Sequence, residues 1–256
     1  MKHIGKSYDK VDAKGILSGK PSYTGDFVPK DALIIKVLRS HHAQAKIKSI
    51  DTSKAKLIPG VEAIFTYEDV PNTRFTLAGQ TYPEPSAYDA LILDPVVRYV
   101  GDEVALVVAK DEATALKAMP LIKVEYEVQK PVLDLRTAMD HETVVHPEDD
   151  ILNHIPVGQD YKRNICVSYH KRVGDIEGEL AKCDYVVEGT YFDQATRQSA
   201  MEPFQSFGYI DHLGRIVIVS STQIVFHVRR HIARALGIPA SKIRVIKPRI
   251  GGGFGS

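Results

Sequence analysis

Residues 250–256, Ile-Gly-Gly-Gly-Phe-Gly-Ser, decide how this sequence is interpreted. Glycine has no Cβ, so the backbone N–H groups of such a loop are open to close approach by an anion or an oxo group. A glycine-rich turn can also be purely structural, and the loop alone does not separate these two interpretations. Because unanchored glycines at a chain end would be disordered, we expect the sequence to be the front part of a longer polypeptide, cut within or just after a ligand-binding loop.

Two common nucleotide-binding motifs do not fit this loop. A Rossmann fingerprint needs a third glycine at its sixth position, then a helix and a later acidic residue. Ser256 stands at the sixth position here. A P-loop needs Lys followed by Ser or Thr after its last glycine, and no such pair follows Gly255. The loop therefore predicts a ligand other than a simple dinucleotide or nucleoside triphosphate.

Length and composition indicate a globular protein with a balanced charge. The 256 residues are 44% hydrophobic, which is enough to build cores in two ordinary domains. Lys and Arg total 33 against 32 Asp and Glu, so the composition does not suggest a nucleic-acid-binding surface. No apolar run is long enough for a signal sequence or a membrane span, and we therefore expect a cytoplasmic protein with no membrane contact.

The cysteines and histidines do not have the spacing of a metal site. Cys166 and Cys183 form neither a CxxC pair nor a disulfide framework, and we expect two reduced thiols in or near a core. The ten histidines lack zinc spacing, and the adjacent His41 and His42 would point in different directions. If the protein uses a metal, some cofactor other than its side chains must hold it.

Residues 19–132 have the pattern of a mixed α/β unit, preceded by a surface arm at 1–18. Turn residues fill 19–26, and prolines interrupt 68–95. Strands are predicted at 33–38, 45–50, 61–66, 96–99, 104–109 and 122–128, and helices at 51–57 and 112–119. Asp111 fits the N-cap of the second helix, and the order strand, helix, strand over 104–128 predicts a compact α/β unit.

Residues 133–164 are predicted to be a linker, and the second half of the chain starts at 165. The linker is rich in Asp, Glu, His and Pro, and its acidic cluster at 146–150 is interpreted as solvated. Beyond it, strands are predicted at 165–169, 185–192, 204–210, 215–220 and 243–246, the middle three forming a meander. Helices are predicted at 175–181 and 224–236, with Gly237 ending the second one.

Several separated motifs resemble one family. Gln223 follows Thr222 at the start of the long helix, Phe254 lies 31 residues later, and Glu202 belongs to a Met-Glu-Pro-Phe segment. These residues resemble the molybdenum hydroxylases, in the large, molybdopterin-binding subunit of xanthine dehydrogenase and aldehyde oxidase type enzymes. Residues 19–26, 59–61 and 97–105 are similar to the α/β hammerhead domain of that family. Because these motifs occur in the family's order, the resemblance covers nearly the whole chain.

The resemblance implies an α+β (mixed α/β) fold with a defined order of domains. We expect an N-terminal arm at 1–18, an α/β hammerhead domain at 19–132, a linker at 133–164, and the beginning of a molybdopterin-binding domain at 165–256. The family's general-base glutamate lies downstream of the glycine loop, so no catalytic residue is expected in this chain. For the same reason we expect the chain alone to be inactive.

The resemblance also implies a cofactor site. In the family, the dithiolene sulfurs of a pterin hold molybdenum, and the protein supplies contacts to the metal's other ligands. Gln223 would donate its amide N–H to an oxo ligand, although it could also be a polar residue facing water. The matching loop residues would approach the metal's ligands and the pterin through their backbone N–H groups; they are Gly252, Gly253, Phe254 and Gly255.

Three other residues are candidates for the substrate pocket. Glu202 is expected to make a structural hydrogen bond near the pocket and not to transfer a proton. Gln198 and Phe204 can line the cavity, or they can pack within an ordinary strand. The long helix carries three arginines that can reach a pyrophosphate or form the solvated face of the helix. They are Arg229, Arg230 and Arg234.

The implied activity of the complete protein is hydroxylation of a purine or another N-heterocycle with oxygen taken from water. The implied cofactor is molybdopterin in its cytosine dinucleotide form. Electrons would pass to [2Fe-2S] and FAD on partner subunits, since the chain has neither a cluster-binding cysteine set nor a flavin fingerprint. The protein would therefore form a hetero-oligomer. The alternatives are an aldehyde oxidoreductase of the same family and a non-catalytic hammerhead module that serves assembly.

Overall fold

The computed structural model describes residues 3–77 and 81–255. Its helices are α1 (Ala13–Leu17), α2 (Ser53–Lys56), α3 (Glu112–Ala118), α4 (Ile176–Leu180) and α5 (Val225–Ala235). Its strands are β1 (Ile34–Arg39), β2 (Ala45–Asp51), β3 (Val61–Phe65), β4 (Val96–Val97), β5 (Glu103–Ala109), β6 (Lys123–Val128), β7 (Ser206–Ile210), β8 (Ile216–Ser220) and β9 (Ile243–Ile246). The predicted mixture of helices and sheets is confirmed. No helix in the described ranges is long and apolar enough to cross a membrane.

The chain forms two compact units that interleave along the sequence. One unit consists of Leu33–Arg197 together with Arg234–Gly237, and we call it the central unit. The other combines Met1–Ala32, Gln198–Ala233 and Ile238–Ser256, and we call it the terminal unit. Both units are assembled from separated segments, so these divisions do not decide the predicted domain bounds, which stay a prediction.

The central unit contains two antiparallel sheets of three strands each. Their strand orders are β1-β5-β3 and β4-β2-β6. The prediction that 104–128 forms one strand-helix-strand unit is only partly right, because β5 and β6 lie in different sheets. β6 pairs along its length with β2, and this non-local pairing overrides the local order of elements.

The core of the central unit lies around β5 and α3. Alternate residues of β5 are fully buried, namely Ala105, Val107 and Ala109, as expected for a strand in the middle of a sheet. Asp111 caps α3 by accepting the N–H of Thr114 at 2.7 Å, as predicted. Burial of one such valine contributes about 1.5–3 kcal/mol, so this strand is a main source of stability.

The acidic cluster at 146–150 is only partly solvated as the sequence predicts, because three of its five residues are exposed but the Glu148 side chain is only 18% exposed. The Glu148 carboxylate binds the half-buried guanidinium of Arg98, which also pairs with Asp94 at 2.8 Å. Asp150 pairs with Arg74 at 2.8 Å. Burial raises the pKa of Glu148, but the neighbouring His146, with Nδ1 3.5 Å from Oε2, and the charge of Arg98 outweigh this effect and lower the pKa to about 2.

Two predicted strands in the region 165–192 are wrong. Neither 165–169 nor 185–192 forms a strand, and Tyr185, Val187 and Tyr191 are each more than 90% exposed. The alternation of apolar residues predicts a strand, but a strand also requires a partner to accept its backbone hydrogen bonds. The predicted core location of the thiols is also wrong, since Cys166 and Cys183 are exposed. The prediction for α4 is confirmed, with Asp175 accepting the N–H of Gly178 at 3.1 Å.

The terminal unit contains one mixed sheet with the strand order β7-β8-β9. β7 and β8 are antiparallel, whereas β8 and β9 are parallel and are connected through α5. The predicted three-stranded meander is therefore wrong, since the third strand of this sheet is β9. As predicted, Gly237 follows α5 in the left-handed region, with φ of 64°.

Candidate functional site

The candidate site lies at one edge of the β7-β8-β9 sheet. Parallel strands end at the same edge, so the segments after β8 and after β9 both leave the sheet there. β7 is antiparallel with Ser206 opposite Ser220, which brings the segment before β7 to the same edge. In open sheets, ligands bind outside the carboxyl ends of parallel strands. Three loops therefore converge at 199–205, 221–224 and 247–255.

Gln223 and Gly253 are in direct contact at this edge. A Cβ placed on Gly253 would lie 2.6 Å from Cδ and 3.0 Å from Nε2 of Gln223, closer than real Cβ contacts allow. Only glycine at position 253 leaves room for the Gln223 amide in this conformation. The structure thus brings together two of the predicted cofactor-binding residues, which are 30 positions apart in the sequence.

The rest of the glycine loop has an unusual backbone. Gly252 and Gly255 have φ values of 128° and 89°, and Phe254 has φ of 52°. The first two values favour glycine, and a phenylalanine in the left-handed region stores roughly 1–3 kcal/mol of strain. The Phe254 ring is 74% exposed. Positive φ values interspersed with ordinary ones are typical of backbone turns whose N–H groups can bind anions and oxo groups.

Glu202 contacts the start of the loop. Its Oε2 accepts the backbone N–H of Gly251 at 2.6 Å. A Cβ on Gly251 would lie 2.5 Å from Cβ of Glu202, so the two residues are packed closely. Next to them, a Cβ on Gly252 would meet Ala200 at 3.0 Å. The geometry matches the structural hydrogen bond expected for Glu202.

The remaining pocket candidates are exposed residues. Gln198 is exposed in an irregular segment, and Phe204 is 55% exposed just before β7. Their roles in a substrate pocket stay predictions. Arg234 is not simply a solvated residue of the α5 face: within the central unit its Nε donates to the Arg74 carbonyl at 2.9 Å, and its guanidinium lies 4.9 Å from the centre of the Tyr88 ring.

Two residues at this sheet edge could not be predicted from the sequence. Gln205 and Ser221 face each other across the β7-β8 pair and form hydrogen bonds between the two loops. Neither residue has a sequence signal of its own, because a serine after one strand and a glutamine before another are common. Only the pairing register identifies them.

Comparison with known proteins identifies the family. Residues 18–130 match the domain described as "Aldehyde oxidase and xanthine dehydrogenase, a/b hammerhead domain". Residues 157–256 match "Molybdopterin cofactor-binding domain". The chain belongs to the molybdenum hydroxylase family. The two matches occur in the order expected from the resemblance, and they confirm the family and its two domain types.

Relatives of this family match almost the whole chain. The probable hypoxanthine oxidase of Escherichia coli K12 is 40% identical over 277 aligned residues, covering 99% of this chain and 29% of that protein. A putative xanthine dehydrogenase molybdenum-binding subunit of the same organism is 34% identical, covering 96% and 32%. The aldehyde oxidoreductase structure from Desulfovibrio gigas superimposes with a TM-score of 0.79 at 25% identity, covering 98% and 27%. The chain thus spans about a third of the length of these relatives.

The donors at the sheet edge fit a molybdenum cofactor. They are backbone N–H groups and one carboxamide, which are neutral hydrogen-bond donors suited to the oxo and sulfur ligands of a metal held by another group. The described residues contain no cluster of three or more His, Cys, Asp and Glu that could hold a metal ion. Gln223 and the loop from Gly252 to Gly255 stay the predicted cofactor-binding residues.

Proposed function

We propose that this chain contributes Gln223 and the glycine loop to the cofactor site of an oxidoreductase. The enzyme hydroxylates a purine or another N-heterocycle. The contact between Gln223 and Gly253 carries this proposal. In this contact, the carboxamide of Gln223 lies against the backbone of the glycine loop at the carboxyl edge of parallel strands. Support for a purine comes from the probable hypoxanthine oxidase and the xanthine dehydrogenase subunit among the relatives.

The net reaction adds oxygen from water to an electron-poor C–H. One C–H bond and one O–H bond of water are broken, a C–O bond forms, and two protons and two electrons leave. The molybdenum cofactor supplies the centre that accepts these two electrons. The residues of this chain bind and orient: the Gln223 amide donates a hydrogen bond, and the loop at 252–255 fixes the position of the cofactor through backbone N–H groups.

The electrons then need a path out of the site. We infer that [2Fe-2S] and FAD groups on partner subunits receive them, which makes the assembly a hetero-oligomer. We further infer that the pterin is in its cytosine dinucleotide form. Metal and nucleotide analysis of the purified assembly tests both inferences, and a pterin without a nucleotide, or with guanine, would contradict the second. The cytoplasmic location stays a prediction.

The substitution Gln223→Ala tests the proposal in the cofactor-loaded protein at its natural length. We expect kcat on the best purine substrate to fall at least about tenfold, which corresponds to about 1.4 kcal/mol of lost transition-state stabilisation. Molybdenum content and unfolding temperature should change little. Gln194→Ala is the matched control, because Gln194 is an exposed glutamine in an irregular segment. Unchanged turnover in Gln223→Ala with full molybdenum content would contradict the proposal.

Two alternative functions can be tested by the molybdenum content of the protein and by its range of substrates. An aldehyde oxidoreductase, as in the Desulfovibrio gigas structure, would show a higher kcat/KM for aldehydes than for purines. A non-catalytic hammerhead module would fold without molybdenum. Elemental analysis of the protein at its natural length separates the enzyme from the scaffold, since the enzyme requires stoichiometric molybdenum.

A further inference from the structure

Both carboxylate oxygens of Glu202 are used within the terminal unit. Oε2 accepts the N–H of Gly251 at 2.6 Å, and Oε1 accepts Nε2 of Gln205 at 3.4 Å. Hydrogen bonds to a carboxylate are shorter and stronger than those between neutral groups, and the first of these two has that character. Glu202 therefore joins the segment before β7 to the first residue of the glycine loop.

Gln205 carries the connection to the segment that contains Gln223. Its carbonyl accepts the backbone N–H and the hydroxyl of Ser221, each at 3.2 Å, and the Ser221 hydroxyl lies 3.3 Å from the Gln205 backbone nitrogen. Ser221 is two residues before Gln223. We call Glu202, Gln205 and Ser221 the clamp, because together they contact both segments of the candidate site.

A third segment supports the clamp from the side. A Cβ on Gly25 would lie 3.2 Å from both amide atoms of Gln205, so the turn Thr24–Phe27 packs on that side chain. Asp26 fixes this turn by accepting two backbone N–H groups at its start, at 2.8 and 2.9 Å. The Ser22 carbonyl in turn accepts the N–H of Arg249 at 2.9 Å, next to the glycine loop.

We propose that Glu202 is a positioning residue that holds Gly253 against Gln223 by anchoring Gly251. The expected effect of Glu202 on catalysis rests on the proposed function. Its expected effect on the position of the loop does not. Glu202 forms hydrogen bonds with Gly251 and Gln205. It acts through two paths, the loop backbone from Gly251 to Gly253 and the backbone bonds from Gln205 to Ser221. Loss of the carboxylate should loosen the loop without unfolding the sheet.

Hydrogen exchange of the chain without cofactor tests the structural part. In Glu202→Ala, we expect amides at 251–255 to exchange about tenfold faster, which is the fold-change for one lost hydrogen bond to a charged group, while amides of β8 and β5 keep their rates. Glu202→Gln retains a carbonyl acceptor and should recover most of the protection. Glu62→Gln, an exposed glutamate on β3, is the control. Unchanged loop exchange in Glu202→Ala would overturn the proposal.

A second variant covers the case in which Glu202→Ala does not fold. Ser221→Ala removes only the hydroxyl contacts to Gln205, and it should speed exchange at 221–224 with a smaller effect at 251–255. Unchanged hydrogen exchange at 221–224 would show that the contacts between Gln205 and Ser221 do not hold this segment, and it would overturn the clamp.

A double-mutant cycle in the cofactor-loaded protein separates positioning from direct action. If Glu202 acts by placing Gly253 against Gln223, the loss of kcat in Glu202→Ala should largely disappear when Gln223 is already alanine. An undiminished loss in the double variant would mean that Glu202 acts on the substrate directly, and this would overturn the positioning role. If Gln223→Ala alone leaves kcat unchanged, the proposed function fails while the exchange result stands.

Discussion

The amide of Gln223 occupies the space that a side chain on Gly253 would need, with Cδ 2.6 Å from an ideally placed Cβ. The contact depends on the pairing of β8 with β9, which brings the ends of two distant segments to one sheet edge. The contact explains why position 253 is glycine: a residue without a side chain leaves room for Gln223. Because a side chain at position 253 and the Gln223 amide cannot occupy the same space, a substitution at 253 should displace Gln223.

Gly253→Ala should displace Gln223 and leave the fold intact. Gly253 is not among the glycines with positive φ, so alanine fits the backbone, and the atoms it meets belong to a movable side chain. In the cofactor-loaded protein we expect kcat to fall at least about tenfold, or about 1.4 kcal/mol, with little change in unfolding temperature. Steady-state kinetics and thermal denaturation measure both.

The control for this variant is Gly15→Ala in α1. A Cβ there meets only Lys20 Cδ at 3.7 Å, an ordinary contact. It should change neither kcat nor the unfolding temperature. If Gly253→Ala retains wild-type kcat, the Gln223 amide does not need the position described for it.

Gly158→Ala should strongly destabilise the central unit. Gly158 has φ of 73°, and a Cβ there would overlap the carbonyl oxygen of Ser168, which is backbone and cannot rotate away. We expect a loss of more than about 2 kcal/mol in the free energy of unfolding, measured by chemical denaturation. Gly174→Ala is the control, since it has a similar φ of 78° but open space around the new Cβ. Equal losses in the two variants would show that the Ser168 contact is unimportant.

Acid should weaken the contribution of Glu148 to stability. Its folded-state pKa is about 2, below the ordinary value of 4.5, so its contribution is full above pH 4.5 and is lost as the pH falls towards 2. We expect the stability advantage of wild type over Glu148→Gln to shrink by about 1–2 kcal/mol between pH 7 and pH 3, after allowance for solvent screening. Denaturation at a series of pH values measures this. If the stability advantage of wild type stays constant from pH 7 to pH 3, the Arg98 ion pair does not have the role described for it. Glu62→Gln, at an exposed glutamate, is the control.

Both thiols should react in the native protein. Cys166 and Cys183 are exposed. A thiol reagent should therefore modify both cysteines without denaturant, at rates within about tenfold of those in the unfolded chain. Mass spectrometry after timed alkylation counts them. A thiol that reacts only after denaturation would restore the core location that the sequence predicts.

The elements predicted well are those with local signals. Asp111 before an apolar helix and Gly237 after one define the ends of α3 and α5 through contacts within a few residues. The family and its order of domains were also predictable, because widely separated motifs such as Gln223 and Phe254 are specific in combination. Each of these signals can be interpreted without knowledge of the strand pairing.

What could not be predicted depends on pairing between distant segments. β5 and β6 belong to different sheets, and 185–192 has the alternation of a strand without forming one. The clamp shows the same limit, because Gln205 and Ser221 become neighbours only in the β7-β8 register. The burial of Glu148 also depends on Arg98, which lies 50 residues earlier.

The composition of the terminal unit has a consequence for synthesis on the ribosome. Ser22 is translated more than two hundred codons before Arg249, yet its carbonyl accepts the N–H of Arg249, and Gly25 packs on Gln205. The segment 22–25 must therefore remain without these partners while the following codons are read and the strands of the central unit can already pair. Closure of a loop of this length is slow compared with local folding. The sheet edge that carries the candidate site should accordingly be the last part of this chain to become ordered, and any ligand that needs this edge can bind only afterwards.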